Sequence, residues 1–221
     1  IVMDTDPDVI QKLIPPFMNS VIKSYDRRRA AMMEHNCNIP WAILIDVTTA
    51  CNLKCTGCWA SQYGNHLQMT YDDINKVIQE GKELGTYVYL YTGGEPLVKR
   101  NIVSICRRVA EVEGIREVCL TTNGILLPEL AKQLKEAGVK RVNLSLDTLD
   151  PQKYAYITRI GKLDQFYSGL EAALEAGFDK VKINAVLIGG FNDDEIEALA
   201  NLTMEYPVDM RFIELMPIQD H

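Results

Sequence analysis

From Trp41 onward, short apolar runs alternate with amphipathic stretches, and the alternation continues to the end of the chain. Runs of four to eight apolar and β-branched residues predict strands at Trp41–Thr48, Thr86–Thr92, Glu117–Thr122, Arg141–Leu146, Lys180–Leu187 and Asp209–Leu215. Helical periodicity lies between them, at Tyr71–Leu84, Ile102–Val112, Leu127–Ala137, a longer stretch Gln152–Ala176, and Asp193–Met204. Gly85, Gly114, Gly138 and Gly177 fall where those helices should stop. Strands separated by helices pair in parallel through right-handed crossovers. The fold class expected is therefore α/β, a partial (β/α)6 TIM-type barrel, with an open doubly wound sheet as the rival. Residues 1–39 read as a short helical N-terminal extension (Asp8–Phe17 and Val21–Glu34, broken at Pro15-Pro16), and residues 40–221 as one core domain.

The strands are not uniformly apolar, as strands covered on both faces would be. Cys119, Thr121 and Asn123 share parity on the third strand, Asn143, Ser145 and Asp147 on the fourth, and Lys182 and Asn184 on the fifth. Side chains two apart point to the same face, so each strand presents a polar row. Three such rows in succession predict a polar cavity inside the barrel, toward the C-terminal ends of the strands.

Composition narrows the class of protein. A hydrophobic fraction of 47% and a charged fraction of 24% are those of an ordinary globular protein. No run of eighteen apolar residues is present, and Ile1–Ile10 carries acids where a signal peptide carries bases, so no membrane is expected and the cytoplasm is the expected location. A net charge of −7 without a broad basic face argues against nucleic acid. The one dense basic cluster, Arg27-Arg28-Arg29, reads as a solvated helix face, and the acidic run Asp193–Glu197 as a solvated helix start rather than a metal site. Six cysteines in a reducing compartment point to metal or redox chemistry.

Three of those cysteines form Cys51-Asn-Leu-Lys-Cys55-Thr-Gly-Cys58, directly after the first strand. Three thiolates can hold three corners of a cubic iron–sulfur cluster and leave one iron open for another ligand. Structural zinc wants a fourth protein ligand, and no second C-x-x-C follows. A second motif, Thr92-Gly93-Gly94-Glu95-Pro96, ends the second strand. Its adjacent glycines let the backbone approach a ligand closely.

Together the cysteine triplet and Gly93-Gly94-Glu95-Pro96 resemble the radical S-adenosylmethionine (radical SAM) enzymes, over essentially everything from Trp41 to Met216. The resemblance implies one 4Fe–4S cluster on Cys51, Cys55 and Cys58, with S-adenosylmethionine on its open iron. It further implies reductive cleavage to methionine and a 5′-deoxyadenosyl radical, with a flavodoxin or ferredoxin as electron donor. The cofactors carry the hard step, so no side chain is singled out as catalytic.

The second half is similar to the GTP 3′,8-cyclase family of molybdenum-cofactor biosynthesis. The similarity lies in Leu120-Thr121-Thr122-Asn123-Gly124, Val142-Asn143-Leu144-Ser145-Leu146-Asp147, Val181-Lys182-Ile183-Asn184-Ala185-Val186, Gly190–Glu195 and Arg211–Pro217. It implies a small-molecule substrate, GTP being the candidate. Gly57, Gly93, Gly94, Glu95, Ser145 and Met216 would then face S-adenosylmethionine, and Thr121, Lys182 and Arg211 the substrate. That family also holds a second cluster on three C-terminal cysteines, and no cysteine follows Cys119 here, so one cluster is expected. Basic residues expected on the strand entering Gly93 are replaced by Tyr87-Val88-Tyr89-Leu90-Tyr91, and Gly57 stands where an aromatic residue is usual. The first half, from Pro40 to Gly93, looks more like another radical SAM branch acting on a peptide, lipid precursor or cofactor. The favoured reading is a cyclase-like nucleotide enzyme and the runner-up another radical SAM enzyme, with a hybrid joined near Lys99–Ile105 and a non-catalytic cluster-binding fragment as further alternatives.

Overall fold

The computed structural model describes residues 24–58, 60, 64, 66–86, 88–113, 115 and 117–215. Residues 24–35 are helical (α1). There follow β1 (Ala42–Thr48), α2 (Tyr71–Leu84), β2 (Val88–Gly93), α3 (Ile102–Ala110), β3 (Val118–Thr122), α4 (Leu127–Glu136) and β4 (Val139–Ser145). The remainder comprises α5 (Pro151–Thr158), α6 (Leu163–Glu175), β5 (Lys180–Leu187), α7 (Ile196–Glu205) and β6 (Asp209–Glu214). All adjacent strands pair in parallel, in the order β1-β2-β3-β4-β5-β6. A doubly wound sheet reverses direction at a switch point. This order never reverses, which leaves the partial barrel and removes the rival.

Period-two alternation sorts the strand residues cleanly between the two faces. Ile45 and Val47, Tyr89 and Tyr91, Leu120, Val142 and Leu144, and Ile183 are buried in the core that the helices cover. Each such side chain contributes roughly 1.5–3 kcal/mol when removed from water. Alternate residues turn to the opposite, inner face. Gly85, Gly138 and Gly177 follow α2, α4 and α6 with positive φ, ending these helices where the sequence places their stops; Gly114 lies outside the described residues.

Three expectations change. The stretch Gln152–Ala176 is two helices, α5 and α6, separated at Arg159–Lys162, where Arg159 adopts φ 67°. The arginine cluster is not uniformly solvated: Arg28 is buried, with a hydrogen bond to Ser24 Oγ, and packs where a Cβ on Gly85 would stand. The acidic run after Asn192 is not merely a solvated helix start either. The Glu195 carboxylate accepts from Thr148 Oγ1 and Leu149 N and pairs with Lys153, tying the end of β4 to the start of α7. Of the expected N-terminal helices, Asp8–Phe17 lies outside the described residues. No helix among the described residues is long and apolar enough to cross a membrane.

Candidate functional site

The cysteine loop leaves β1 at Thr48 and is held at both ends by backbone. Gly94 N donates to Thr48 O (2.8 Å) and Glu95 N to Ala50 O (2.8 Å), so the loop's first residues are zipped to the turn that ends β2. Farther along, Lys54 N and Thr56 N donate to Thr158 O and Ile157 O, carbonyls freed where α5 breaks. The Asn123 amide nitrogen, at the end of β3, donates to Asn52 Oδ1 (2.7 Å). The loop is thereby fixed to the ends of β2, β3 and α5.

The two glycines answer to this packing. Gly93 has φ 116°, and a Cβ on it would stand 2.5 Å from Thr48 O; one on Gly94 would overlap Ala50 O and lie 2.6 Å from Thr49 O. The close approach they permit is that of the cysteine loop itself. Glu95 is 2% exposed, and both of its oxygens are engaged within the protein. Oε1 accepts from Thr122 Oγ1 (2.7 Å) and Leu97 N (3.0 Å), and Oε2 from Asn123 N (2.7 Å). Burial raises its pKa against the pull of these hydrogen bonds. The carboxylate thus braces the ends of β2 and β3. The sequence places Glu95 facing the cofactor; its carboxylate oxygens face these protein partners.

The three thiols lie close enough to feel one another. Burial raises Cys51 and Cys55, and the neighbouring thiolates add to it; Cys55 is pushed up to about 11, with Asp147 contributing. Such a concentration of incipient negative charge suits a multi-iron cationic group. Among the described residues, no three His, Cys, Asp or Glu side chains converge as ligands to a single metal ion. A cubic cluster makes a looser demand, because each thiolate binds its own iron. The donor set fits the cluster better than a tetrahedral zinc ion. Gly57, exposed at the loop's tip with φ 73°, has open space where its Cβ would be.

The polar rows meet as expected. Thr121, Asn143 and Lys182 stand side by side in register, as do Cys119 and Arg141 one rung below. Asn143 donates to Thr121 Oγ1 (3.2 Å), and Arg141 donates to Cys119 Sγ (3.0 Å). Lys182, 7% exposed, reaches Asp209 Oδ2 at 3.3 Å. Burial and the charges of Arg211 and Arg141 pull its pKa down despite Asp209. Arg141 was not singled out from the sequence, although it shares parity with Asn143 and Ser145 and extending that row finds it. Two inner acceptors, Asn143 Oδ1 and Asn184 Oδ1, are buried without a hydrogen-bond partner, each a cost of about 1–3 kcal/mol. Ser145 is exposed at the end of β4, and Asp147 accepts from Val186 N (2.8 Å), a turn-holding role. Met216 lies outside the described residues.

The inner wall on the β1–β2 side differs. Leu44, 66% exposed, pairs with Leu90, and Leu90 with Cys119. The cations of the inner face are therefore concentrated on β4 to β6.

A parallel six-stranded half-barrel with a three-thiol loop at the end of β1 defines the class. The chain belongs to the radical SAM superfamily, whose sequence profile matches residues 45–203. Within it, the chain is 49% identical over 177 residues to a GTP 3′,8-cyclase of Peptoclostridium acidaminophilum, covering 78% of this chain and 54% of that protein. It is 47% identical over 180 residues to the GTP 3′,8-cyclase of Pelotomaculum thermopropionicum, covering 79% and 55%. The chain thus spans about half the length of the curated relatives it matches. A match covering 78% of the chain cannot lie on one side of residues 99–105, so both halves take part in it. Among solved structures, Streptococcus suis SuiB bound to S-adenosylmethionine superposes with a TM-score of 0.69 at 21% identity, over 89% of this chain and 46% of that one, a likeness of fold.

Proposed function

We propose that the chain is the radical-generating core of a GTP 3′,8-cyclase-like enzyme of the cytoplasm, with one 4Fe–4S cluster held by Cys51, Cys55 and Cys58. When bound, the cluster and S-adenosylmethionine supply one-electron cleavage to a 5′-deoxyadenosyl radical, with the electron coming from a flavodoxin or ferredoxin. The chain's own residues position and select. Glu95 and Asn123 fix the cysteine loop to the sheet. Gly57, Gly93, Gly94, Ser145 and Met216 border S-adenosylmethionine, while Thr121, Lys182 and Arg211 take the nucleotide.

The observation that carries this reading is the buried lysine of the inner rung. Lys182 is desolvated and flanked by two arginines, with one carboxylate that it shares with Lys180. An anionic ligand relieves that repulsion, as the phosphates of a nucleotide would. Lys182→Ala is expected to weaken GTP binding about 10- to 100-fold, the worth of one or two charge-assisted hydrogen bonds. Isothermal titration checks it, with iron content unchanged. Wild-type GTP affinity in the variant would remove the nucleotide assignment.

A second reading draws on the apolar wall. Leu44 and Leu90 offer a surface for an apolar body, favouring a radical SAM enzyme acting on a peptide, lipid precursor or cofactor. Failure of the wild-type protein to bind GTP would turn the account to that reading.

A further inference from the structure

One rung of the inner face changes character along its length. Leu44, Leu90, Cys119, Arg141 and Lys180 follow one another in register from β1 to β5. Apolar side chains occupy one end and cations the other. Leu44 is exposed and Leu90 half-buried, although both lie on the inner side of the sheet. A cavity of about 640 Å³ lies against β1, with Leu44, Asp46 and Thr92 on its inner side; Ile43, Met69 and Val77 carry the lining round the strand's edge. Apolar surface left facing a cavity is a place for an apolar ligand.

The other end of the rung is short of acceptors. Arg141 Nη2 reaches a thiol, Cys119 Sγ, at 3.0 Å and the exposed Glu117 carboxylate at 3.5 Å, while its Nε is buried without a partner. Burial pushes the Cys119 thiol up to about 12, with Glu117 adding to it, so the sulfur stays neutral beside the guanidinium. The one carboxylate that faces Arg141 is exposed, and such a pair is worth little. Lys180, next in the rung, is held by Asp209. Asp46 stands two residues on from Leu44, in register with Thr92. Its carboxylate repels an anion from the apolar end and so gives the rung a direction.

We propose that this rung selects an amphipathic anion, whose apolar body lies on Leu44 and Leu90 and whose anionic head meets Arg141. The inference rests on the apolar-wall reading of the site and not on GTP. Leu90 and Arg141 are two strand spacings apart, about 10 Å, a distance that a medium-length hydrocarbon chain spans. Cys119, between them, is buried and packs as a small apolar residue. A ligand with this division of polarity removes the apolar wall from water and supplies the acceptor that Arg141 lacks.

Isothermal titration of the whole chain, reconstituted with iron and sulfide, with butyrate, hexanoate and octanoate tests the proposal. In wild type each added methylene is expected to tighten binding up to about fourfold. Leu44→Ser and Leu90→Ser should flatten that dependence at an unchanged thermal midpoint, since neither leucine belongs to the core. Arg141→Gln should weaken all three acids by a similar factor, about tenfold, and keep the dependence on length. A wild-type affinity that does not rise with chain length would overturn the proposal and the apolar-wall reading together, and so would a rise that survives both serine variants. A rise in wild type with Arg141→Gln binding as tightly as wild type would overturn the proposal alone and leave the apolar wall standing. Sedimentation of the same preparations covers the competing occupant: a wild-type dimer that Leu44→Ser dissociates would make the wall an interface between copies and overturn the proposal. GTP titrated into the same wild-type protein decides the nucleotide reading separately.

Discussion

Replacing Cys55 with alanine is expected to abolish cluster assembly, dropping bound iron to background and eliminating the charge-transfer absorbance of the reconstituted protein. Two thiolates cannot hold three irons of a cube, and the loop offers no substitute. Lys54 and Thr56, on either side of Cys55, are tied by their backbone N–H groups to the end of α5, which prevents the loop from sliding to supply another donor. The fold should survive, because Cys55 is not part of the core and the sheet closes over other residues. Cys106 makes the control. It is fully buried on α3 within that core, and Cys106→Ala should leave the iron content as in wild type while lowering stability. Parallel iron analysis and thermal melts of the two variants check both halves. Full absorbance in Cys55→Ala would refute the ligand assignment.

Gly94→Ala is expected to be the most damaging change outside the ligands. Its Cβ would overlap Ala50 O, and two backbone hydrogen bonds, Gly94 N to Thr48 O and Glu95 N to Ala50 O, depend on that approach. Forcing a methyl group into a filled space and losing those bonds costs roughly 3–5 kcal/mol. For a chain of this size that lowers the melting midpoint by on the order of 10 °C. The strain falls on the first residues of the cysteine loop, so iron loading should fall together with stability. Differential scanning calorimetry and iron analysis of the same preparation measure the two effects. A wild-type midpoint with full iron would mean that Gly94 serves something other than loop packing.

Much of this could be read from the sequence because it is local. Lys180–Leu187 and Tyr71–Leu84 have the predicted ends, since β-branched alternation and a Thr70–Asp73 capping box mark them within a few residues. The polar rows were legible for the same reason: side-chain direction in a strand follows from parity alone. The break between α5 and α6 was not legible, because apolar spacing runs through it. It is stabilised from far away in sequence, by the cysteine loop taking the carbonyls of Ile157 and Thr158. Glu95 is a similar case. Its motif suggests a ligand, whereas its partners, Thr122 and Asn123, lie on the next strand and become visible only once β2 and β3 are paired. Arg28 reads as one of three solvated arginines until α1 packs against Gly85. In each instance the missing information is tertiary contact.

Anaerobic reconstitution of the whole chain tests the central claim most directly, with analysis of iron and sulfide followed by assay of 5′-deoxyadenosine after reduction in the presence of S-adenosylmethionine, with and without GTP. The account predicts about four irons per chain and 5′-deoxyadenosine formation that depends on the reductant and responds to GTP. Stoichiometric zinc in place of iron, or a fully iron-loaded protein that leaves S-adenosylmethionine intact, would contradict it.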